Sequence, residues 1–390
     1  MFATDRPEMK RERLPLPSRP FNEVIASLDV AENGFHAPVD MAGLWNSGLF
    51  YILNEQELNT ILNTASELHS MYMDAVQYVL SEDMLPALDI PHILHKPILS
   101  SWENGSPGLL GRLDLCCQPD KPPILFNYST DMPSGLLEAA FWQRRWLKAV
   151  CPQKTQFNEI QQKLQESWEM MAGDGLYSVC FLSCEQDRGA YSSFLMKTAV
   201  NAGLSVCSAH CDELTWDITE GALMNGDGQV LEAVVETCGW LRLLHDCSEA
   251  SLASLLGPDC CLVEPPWRFV MGHSGMLAVL WELFEGHAGL VPASFAPGDI
   301  EGPYDRIPFF PTAAPTPGVQ VYHRDISDDG LYGMSGYVYR SHIVLPRVSD
   351  GDFFVVQVWM VGDEPAGICV QEMSDVTTGR EGRFVPHWLE

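Results

Sequence analysis

The sequence predicts an α/β protein that combines a small parallel unit with an antiparallel sheet. An apolar segment at Tyr177–Ser183, a helical pattern over Tyr191–Ala202 and a second apolar segment at Leu204–Cys207 follow one another. Such a strand–helix–strand unit forms two parallel strands joined by a right-handed crossover. Nearer the C terminus, three segments alternate or run apolar, as antiparallel strands do: Tyr337–Leu345, Phe353–Val361 and Ala366–Gln371.

Composition limits the class of protein. A chain of 390 residues exceeds the size at which one core keeps growing, so two or three subdomains are expected. Its 52 acidic and 23 basic residues give a net charge of −29, which disfavours nucleic acid as a partner. The acidic residues either form a solvated surface or attract a cationic partner, such as a polyamine or a basic protein. No run of 18 apolar residues and no leader pattern occurs, so we expect a soluble, cytoplasmic protein without a membrane partner.

The stretch richest in candidate chemistry is Gly111–Trp146. Arg112 and Asp114 are two residues apart, so on a strand their guanidinium and carboxylate share one face. The apolar run Ile124–Phe126 predicts a second strand, joined to the first by a proline-rich turn. The pair therefore belongs either to a functional site or to a buried polar anchor between strands.

An acidic turn and a helix follow these strands. Asp131 lies in the turn, and apolar residues then recur with helical spacing up to Leu147. Ser134 suits an N-cap, and Glu138 lies in the first turns, where the helix dipole favours negative charge. This arrangement brings polar groups to the carboxyl end of a strand, where α/β proteins collect ligands.

Other segments have the spacing or composition of recognisable elements. Pro303–Pro317 holds five prolines in fifteen residues, which excludes a regular helix or a central strand. Residues 1–20 mix charges and prolines and predict a mobile arm. Helical patterns cover four further segments: Asn54–Leu80, Phe157–Met171, Val230–His245 and Met276–Phe284.

Several short motifs follow one another along the chain. They are Arg112-x-Asp114, Asp131-x-Pro-x-x-Leu-x-Glu138-Ala-x-x-x-Gln-x-x-Trp146, Glu264-Pro-x-Trp267, Leu280-Trp-x-x-Phe-x-Gly-His287, Leu290-x-Pro-Ala-x-Phe295, Trp359, Glu364-Pro-Ala-Gly-Ile368 and Arg383-Phe-x-Pro-His387. In this order they resemble the glutathionylspermidine synthetase family, from about residue 35 to the end of the chain. Members of that family are ATP-grasp ligases that join a carboxylate to an amine through an acyl phosphate.

The resemblance implies an ATP-grasp-like fold, with the antiparallel sheet as its grasp and the parallel βαβ unit as a small pre-ATP-grasp subdomain. It divides the chain into an N-terminal part of the synthetase-like core (21–150), a pre-ATP-grasp-like subdomain (151–260) and an ATP-grasp-like region (261–390). A degenerate lid at 303–317 lies within the last of these.

The resemblance also implies roles for individual residues. Arg112 and Arg383 match catalytic positions, and Asp114 matches a magnesium carboxylate. Asp131 and Glu138 match the acidic turn and helix on the substrate side. For each of these residues a buried polar anchor remains the alternative.

Other matched positions depart from the family. Ser274 stands in place of a lysine that binds ATP phosphate, and Ile307 replaces a second lysine. Arg306 and His273 are candidate substitutes for these cations. The remaining magnesium ligands of the family align on neutral residues at Asn127-Tyr128-Ser129.

The phosphate loop of the family aligns on the proline-rich 311–317. Pro lacks the backbone N–H that would cradle phosphate. Phe309 and Phe310 lie just before this loop, and we expect their rings to fill space that a nucleotide would otherwise occupy. An exposed loop is the alternative.

Two hypotheses about function follow. The first is a degenerate ligase with no cofactor, whose cleft binds a small amine, a peptide-like ligand or a protein partner. The second is an active ligase that uses ATP and magnesium to join a carboxylate to an amine.

The twelve cysteines lack the spacing of a secreted disulfide framework and predict free thiols. Cys180, Cys184, Cys207 and Cys211, with His210, leave a zinc site open as an alternative.

Overall fold

The computed structural model describes residues 9–14, 45–46, 48–183, 190–217, 219, 221–257, 261–310, 336–374 and 382–390. Its strands are β1 (Lys10–Arg13), β2 (Leu49–Leu53), β3 (Leu110–Cys116), β4 (Ile124–Ser129), β5 (Ser178–Ser183), β6 (Ser205–His210), β7 (Thr215–Asp217), β8 (Ala222–Met224), β9 (Ala233–Glu236), β10 (Cys261–Val263), β11 (Ala293–Ser294), β12 (Tyr304–Pro308), β13 (Tyr337–Ser341), β14 (Phe353–Val361), β15 (Glu364–Met373), β16 (Arg383–Val385) and β17 (His387–Leu389).

The helices are α1 (Glu55–Ser81), α2 (His92–Glu103), α3 (Gln143–Val150), α4 (Ile160–Gly173), α5 (Ala190–Asn201), α6 (Trp240–Asp246), α7 (Glu249–Leu255), α8 (Trp267–Met271) and α9 (Met276–Leu283). A π-helical turn at Glu138–Trp142 leads directly into α3. Within the described ranges, no helix has the length and apolar character needed to cross a membrane.

A five-stranded antiparallel sheet has the order β16–β15–β14–β3–β4. The predicted strands Phe353–Val361 and Ala366–Gln371 lie side by side in it as β14 and β15, which confirms them. The predicted strand Tyr337–Leu345 is shorter and does not join them. Its residues form β13, between β11 and β12 of a separate three-stranded sheet. Alternation in a sequence indicates which side chains are buried, but it does not identify the neighbouring strand.

The predicted parallel unit is confirmed. The strands β5 and β6 are parallel neighbours, with Cys180 opposite Cys207, and α5 lies between them in the chain. They belong to a four-stranded parallel sheet of order β10–β9–β5–β6. The predicted α/β class, with an antiparallel sheet and a small parallel βαβ unit, is therefore correct.

The prediction of one helix over Val230–His245 is wrong. Ala233–Glu236 forms the fully buried strand β9, and α6 begins only at Trp240. The run Ala-Val-Val is apolar and β-branched, which suits a parallel strand covered on both faces.

Helical periodicity located α1, α4, α5 and α9, whereas no helix is predicted from the sequence at α2, α7 or α8. The longest, α1, begins at a capping box: the Asn54 side chain accepts from the Glu57 N–H at 2.9 Å, and the Glu57 carboxylate accepts from the Asn54 N–H at 2.8 Å. The predictions over Phe157–Met171, Tyr191–Ala202 and Met276–Phe284 are confirmed by α4, α5 and α9.

The two faces of the five-stranded sheet border different hydrophobic cores. Leu113 and Val358 belong to a core that includes residues of α1, whereas Trp359 and Phe384 belong to a core with Trp146. Side chains alternate along a strand, so neighbours such as Val358 and Trp359 serve opposite faces.

Part of the predicted N-terminal arm belongs to the fold. Residues Lys10–Arg13 form β1, antiparallel to β2. The Arg11 guanidinium donates to both oxygens of the buried Glu372 carboxylate, at 2.6 and 2.9 Å, and the Tyr51 hydroxyl donates to it at 2.7 Å. These contacts hold β1 in place because a buried carboxylate needs such donors. Residues 1–8 and 15–20 of the predicted arm lie outside the described residues.

The proline-rich segment begins as an edge strand. Tyr304–Pro308 forms β12, which pairs only with β13 in its sheet among the described strands. This agrees with the prediction that the segment contains neither a helix nor a central strand, because proline is tolerated at sheet edges. The rest of the predicted lid, residues 311–317, lies outside the described residues.

Gly135 shapes the turn that follows β4. Its φ of 90° is in the left-handed region, and a Cβ atom there would lie 2.5 Å from Cζ of Phe384. The turn that carries Asp131 therefore packs directly against β16, and this close approach needs a residue without a side chain.

Gly135→Ala is expected to lower the free energy of unfolding by about 3 kcal/mol, since left-handed backbone strain costs about 1–2 kcal/mol and overpacking about 1–3 kcal/mol. The matched control is Gly105→Ala, where φ is 64° and no heavy atom lies within 4 Å of the added carbon. The control should lose only the strain, about 1 kcal/mol. Urea denaturation measures both, and equal losses would contradict the packing of Phe384 on the turn.

Candidate functional site

Arg112 and Asp114 form a buried ion pair on β3. The Nε and Nη2 atoms of Arg112 donate to the two carboxylate oxygens of Asp114, at 2.7 and 2.9 Å. The two residues are 1% and 0% exposed. The Arg112 guanidinium also donates to the carbonyl and the hydroxyl of Ser134. The two side chains share one face, as the sequence predicts, and they bind each other as well as the acidic turn.

Two carboxyl groups follow in the turn and the helix. The main-chain N–H of Trp240, at the start of α6, donates to both oxygens of Asp131, at 3.2 and 3.1 Å. Burial raises the pKa of Asp131 to about 6. Glu138 begins the π-helical turn, and burial raises its pKa to about 7, against the opposing charge of Arg112. Both groups therefore change charge close to neutral pH.

Two further carboxylates come from the parallel sheet. Glu236 ends β9, and its carboxylate accepts from the main-chain N–H groups of Cys238 and Gly239. Glu264 follows β10; its carboxylate accepts from the N–H groups of Leu109 and Leu110, at 2.9 and 2.6 Å. Arg268 forms an ion pair with Glu264 at 3.3 Å.

Asp131, Glu236 and Glu264 form one electrostatic group, which we name the acidic junction. Asp131 hydrogen-bonds with Glu236, and the charge of Glu264 adds to the rise in the pKa of Asp131. Burial raises the pKa of Tyr191, and the charges of all three carboxylates raise it further. The junction lies where the parallel sheet ends, the position at which α/β proteins bind ligands.

The sequence pointed to only part of this group. Asp131 was predicted from the turn. Glu264 belongs to a matched motif, but no role was assigned to it. The sequence does not point to Glu236, because its pattern predicts a helix where β9 lies. The usable signal was a carboxylate directly after an apolar run, as in Ala233–Glu236.

The cross-strand neighbours of Asp114 are neutral. Asn127 of β4 and Gln357 of β14 are its cross-strand partners, and Ser129 lies opposite Arg112. Nδ2 of Asn127 and Oε1 of Gln357 are buried without a hydrogen-bond partner among the described residues. The structure thus brings the positions aligned with magnesium ligands beside Asp114, and they carry no charge.

Arg383 lies on the opposite face of the sheet. Its cross-strand partner is Glu372 of β15. The preceding residue of β15, Gln371, lies on the Asp114 face, where it accepts a hydrogen bond from Gln357. Because side chains alternate along a strand, Glu372 and Arg383 lie on the other face. The Arg383 guanidinium donates to Asp352 at 2.9 Å. The described contacts therefore do not bring Arg383 together with Arg112.

The predicted nucleotide positions hold apolar and aromatic groups. Ser274 is half-buried, and the ring of its neighbour His273 lies 4.9 Å from the ring centroids of both Phe309 and Phe310. Burial lowers the pKa of His273 to about 3, so its ring is neutral at pH 7. His273 therefore provides no positive charge for a phosphate.

The two phenylalanine rings are buried, as predicted. Phe309 and Phe310 are 5% and 3% exposed, and Phe310 stacks on Phe269 at 5.7 Å. Ile307 is half-buried in β12, and the Arg306 guanidinium lies 4.7 Å above the ring of Tyr337.

Comparison with known proteins identifies the group to which this chain is related. A family model described as "Glutathionylspermidine synthase preATP-grasp" matches residues 21–390. The chain belongs to this family. The resemblance found in its motifs is therefore confirmed over nearly the whole sequence.

Three curated proteins are similar to this chain at low identity. A Haemophilus influenzae protein named "Putative acid--amine ligase" is 26% identical, over 96% of this chain and 98% of its own length. The Escherichia coli "Bifunctional glutathionylspermidine synthetase/amidase" is 25% identical over 86% of this chain, which spans 58% of that enzyme. The Crithidia fasciculata "Trypanothione synthetase" is 22% identical, over 82% of this chain and 53% of its own length.

A double-mutant cycle tests the buried ion pair of Arg112 and Asp114. Arg112→Ala should lower the free energy of unfolding by about 3 kcal/mol, because Asp114 keeps an uncompensated buried charge. Asp114→Ala should have a similar effect. The double variant should lose clearly less than the sum, and denaturant titration gives the coupling energy. Additive losses, or a single variant that melts like the wild type, would show that the two groups do not depend on each other.

Glu138→Gln tests the buried carboxyl of the helix. The pKa of Glu138 is raised from 4.5 to about 7 in the folded protein, so folding favours the protonated form. Below pH 4.5 this group does not lower the free energy of unfolding. As pH rises from 4.5 through about 7, the carboxyl ionises more readily in the unfolded chain, so the free energy of unfolding falls. The glutamine variant should therefore gain up to about 3 kcal/mol over the wild type between pH 4.5 and pH 8. A constant difference across that range would mean that Glu138 ionises normally.

Proposed function

We propose that this member of the family is a binding protein that does not use ATP, and that its acidic junction binds a cationic amine or the ammonium end of a peptide-like ligand. The observation that carries this proposal is the bidentate pair of Arg112 and Asp114. It engages both oxygens of the one aligned magnesium carboxylate.

The residues present do not fit a magnesium ion. Magnesium prefers several oxygen ligands, with one or two carboxylates among them. Both oxygens of Asp114 accept from a guanidinium, and the residues beside it, Asn127 and Gln357, are neutral amides. A cation would have to displace Arg112 from its buried partner, which costs about 3 kcal/mol or more.

The residues present do not fit a triphosphate either. Ser274 and Ile307 have no charge, and the neighbouring His273 is neutral. Arg306 is engaged with an aromatic ring. Phe309 and Phe310 pack against His273 and Phe269, so these positions offer buried aromatic surface in place of phosphate ligands.

The acidic junction supports an amine as the ligand. Its carboxylates lie close enough for the charge of Glu264 to act on Asp131, and such repulsion raises the free energy of the ionised group. An ammonium ion relieves this repulsion and offers several N–H donors. Binding should therefore draw Asp131 into its ionised form and release protons near pH 6.

The second candidate function is an active carboxylate–amine ligase. It is favoured by the name of the Haemophilus influenzae relative, "Putative acid--amine ligase", a protein that this chain matches along almost its full length. In that case Arg112, beside Ser134, would be the group available to hold a carboxylate or an acyl phosphate.

Thermal unfolding of the full chain separates the two functions. At constant ionic strength and pH 7.5, millimolar spermidine should raise the melting temperature, because a ligand at 100 times its Kd adds about 2.7 kcal/mol. Asp131→Asn should abolish this shift, and the exposed Asp74→Asn of α1 should retain it. The shift should weaken below pH 6, where Asp131 is protonated.

Millimolar ATP with magnesium is expected to leave the melting temperature unchanged. A shift of several degrees that Asp114→Asn removes would reject the ATP-independent proposal and support the ligase. A spermidine shift that is equal in the Asp131 and Asp74 variants would show only general attraction to the acidic surface, and would reject the junction as the amine site.

A further inference from the structure

A cluster of three different ligand types lies at the end of β6, on the edge of the parallel sheet. His210, Cys211 and Asp212 follow one another where the strand enters a short 3₁₀ turn. One ligand atom of each residue lies within 4.8 Å of the other two. We infer that these three side chains form a binding site for a divalent metal ion of the zinc type.

Two of the three separations between ligand atoms are close to those around such an ion, and the third, between Cys211 and Asp212, is within 4.8 Å. Nδ1 of His210 lies 4.0 Å from Sγ of Cys211 and 3.8 Å from Oδ2 of Asp212. In a tetrahedral zinc site these separations are about 3.6 and 3.3 Å, from metal–ligand bonds of about 2.0–2.3 Å. Small side-chain rotations of His210 and Asp212, which are not fully buried, close this difference.

Hydrogen bonds already orient two of the ligands. The main-chain N–H of Asp212 donates to Nδ1 of His210 at 3.3 Å, so the proton of the neutral ring is on Nε2. Nδ1 then carries the lone pair that accepts this hydrogen bond, and on binding a metal ion would replace the Asp212 N–H as its partner. The N–H of Ser248, before α7, donates to Oδ1 of Asp212 at 3.3 Å, while Oδ2 is the oxygen nearer to His210.

The ligand set selects the kind of metal. Imidazole nitrogen, thiolate sulfur and carboxylate oxygen are the three ligand types of zinc, whereas calcium and magnesium take oxygen. The Cys211 thiol must lose its proton on binding, so metal uptake releases one proton from it and depends on pH. Water completes the fourth position.

This site differs from the four-cysteine set that the sequence left open. Cys180 and Cys207 lie opposite each other in β5 and β6, and the structure gives them a thiol–thiol hydrogen bond. Cys184 lies outside the described residues. Of the three cysteines of that set that the structure describes, Cys211 is the one grouped with two other ligand types. The site is also separate from the acidic junction, because β6 is two strands away from β9.

Cobalt(II) titration of the full chain tests the inference, after removal of metal by a chelator. A thiolate-to-cobalt charge-transfer band should appear with a stoichiometry of one ion per chain, and zinc should displace it. His210→Gln and Asp212→Asn should each weaken cobalt binding on the order of 10- to 100-fold. Cys211→Ser should abolish the band.

Two control variants remove the same residue types, a histidine and a cysteine, at positions that are not ligands of the proposed site. His245→Gln removes a histidine whose Nδ1 lies 2.7 Å from Asp246, and these two residues do not belong to a group of three close metal ligands in the described part of the chain. Cys261→Ser removes an exposed thiol. Both should bind cobalt like the wild type.

Because Cys211 is fully buried, its serine variant could fail to fold, and the two variants of the more exposed ligands then decide the result. The inference is overturned if no band forms, if His210→Gln and Asp212→Asn bind as tightly as the wild type, or if Cys207→Ser alone removes the band. The last outcome would place the metal on the Cys180–Cys207 pair.

Discussion

The buried pair of Arg112 and Asp114 constrains much of the surrounding structure. A guanidinium and a carboxylate that are both removed from water must satisfy each other, and each becomes costly if the other is lost. The remaining donors of Arg112 bind Ser134, which ties the central strand β3 to the turn before the π-helical segment. Through this turn the pair positions Asp131, and through Asp131 it reaches the start of α6, the helix that follows β9 of the parallel sheet.

Much of the fold was predictable because local patterns and burial agree. The apolar stripe and capping box of α1, and the strands β14 and β15, follow directly from periodicity. The errors occur where a short apolar run lacks its own signature. Ala233–Glu236 is too short to show a period, and its burial by neighbouring strands determines its conformation. No local rule shows that Arg11 in the N-terminal segment binds Glu372.

For the site, the sequence predicted residue types better than their arrangement. Arg112, Asp114, Asp131 and Glu138 are buried or half-buried near one another in the chain, and the first two pair as expected from their spacing. Arg383 shows the limit of motif matching. Its position on β16 follows from the motif, but the alternation of side chains places it on the far face of the sheet. Glu236 could not be linked to Asp131 without the topology, because 104 positions separate them in the chain.

The contact of Gly135 with Phe384 has a consequence for biosynthesis. The acidic turn is made early, whereas the ring that packs on it is added about 250 residues later. During translation at about 5–20 residues per second, the turn therefore lacks this support for roughly 12–50 seconds. The parallel sheet can be completed on the ribosome, since all its strands precede residue 264. The turn that carries Asp131 of the acidic junction gains its final packing only after Phe384 has emerged from the exit tunnel.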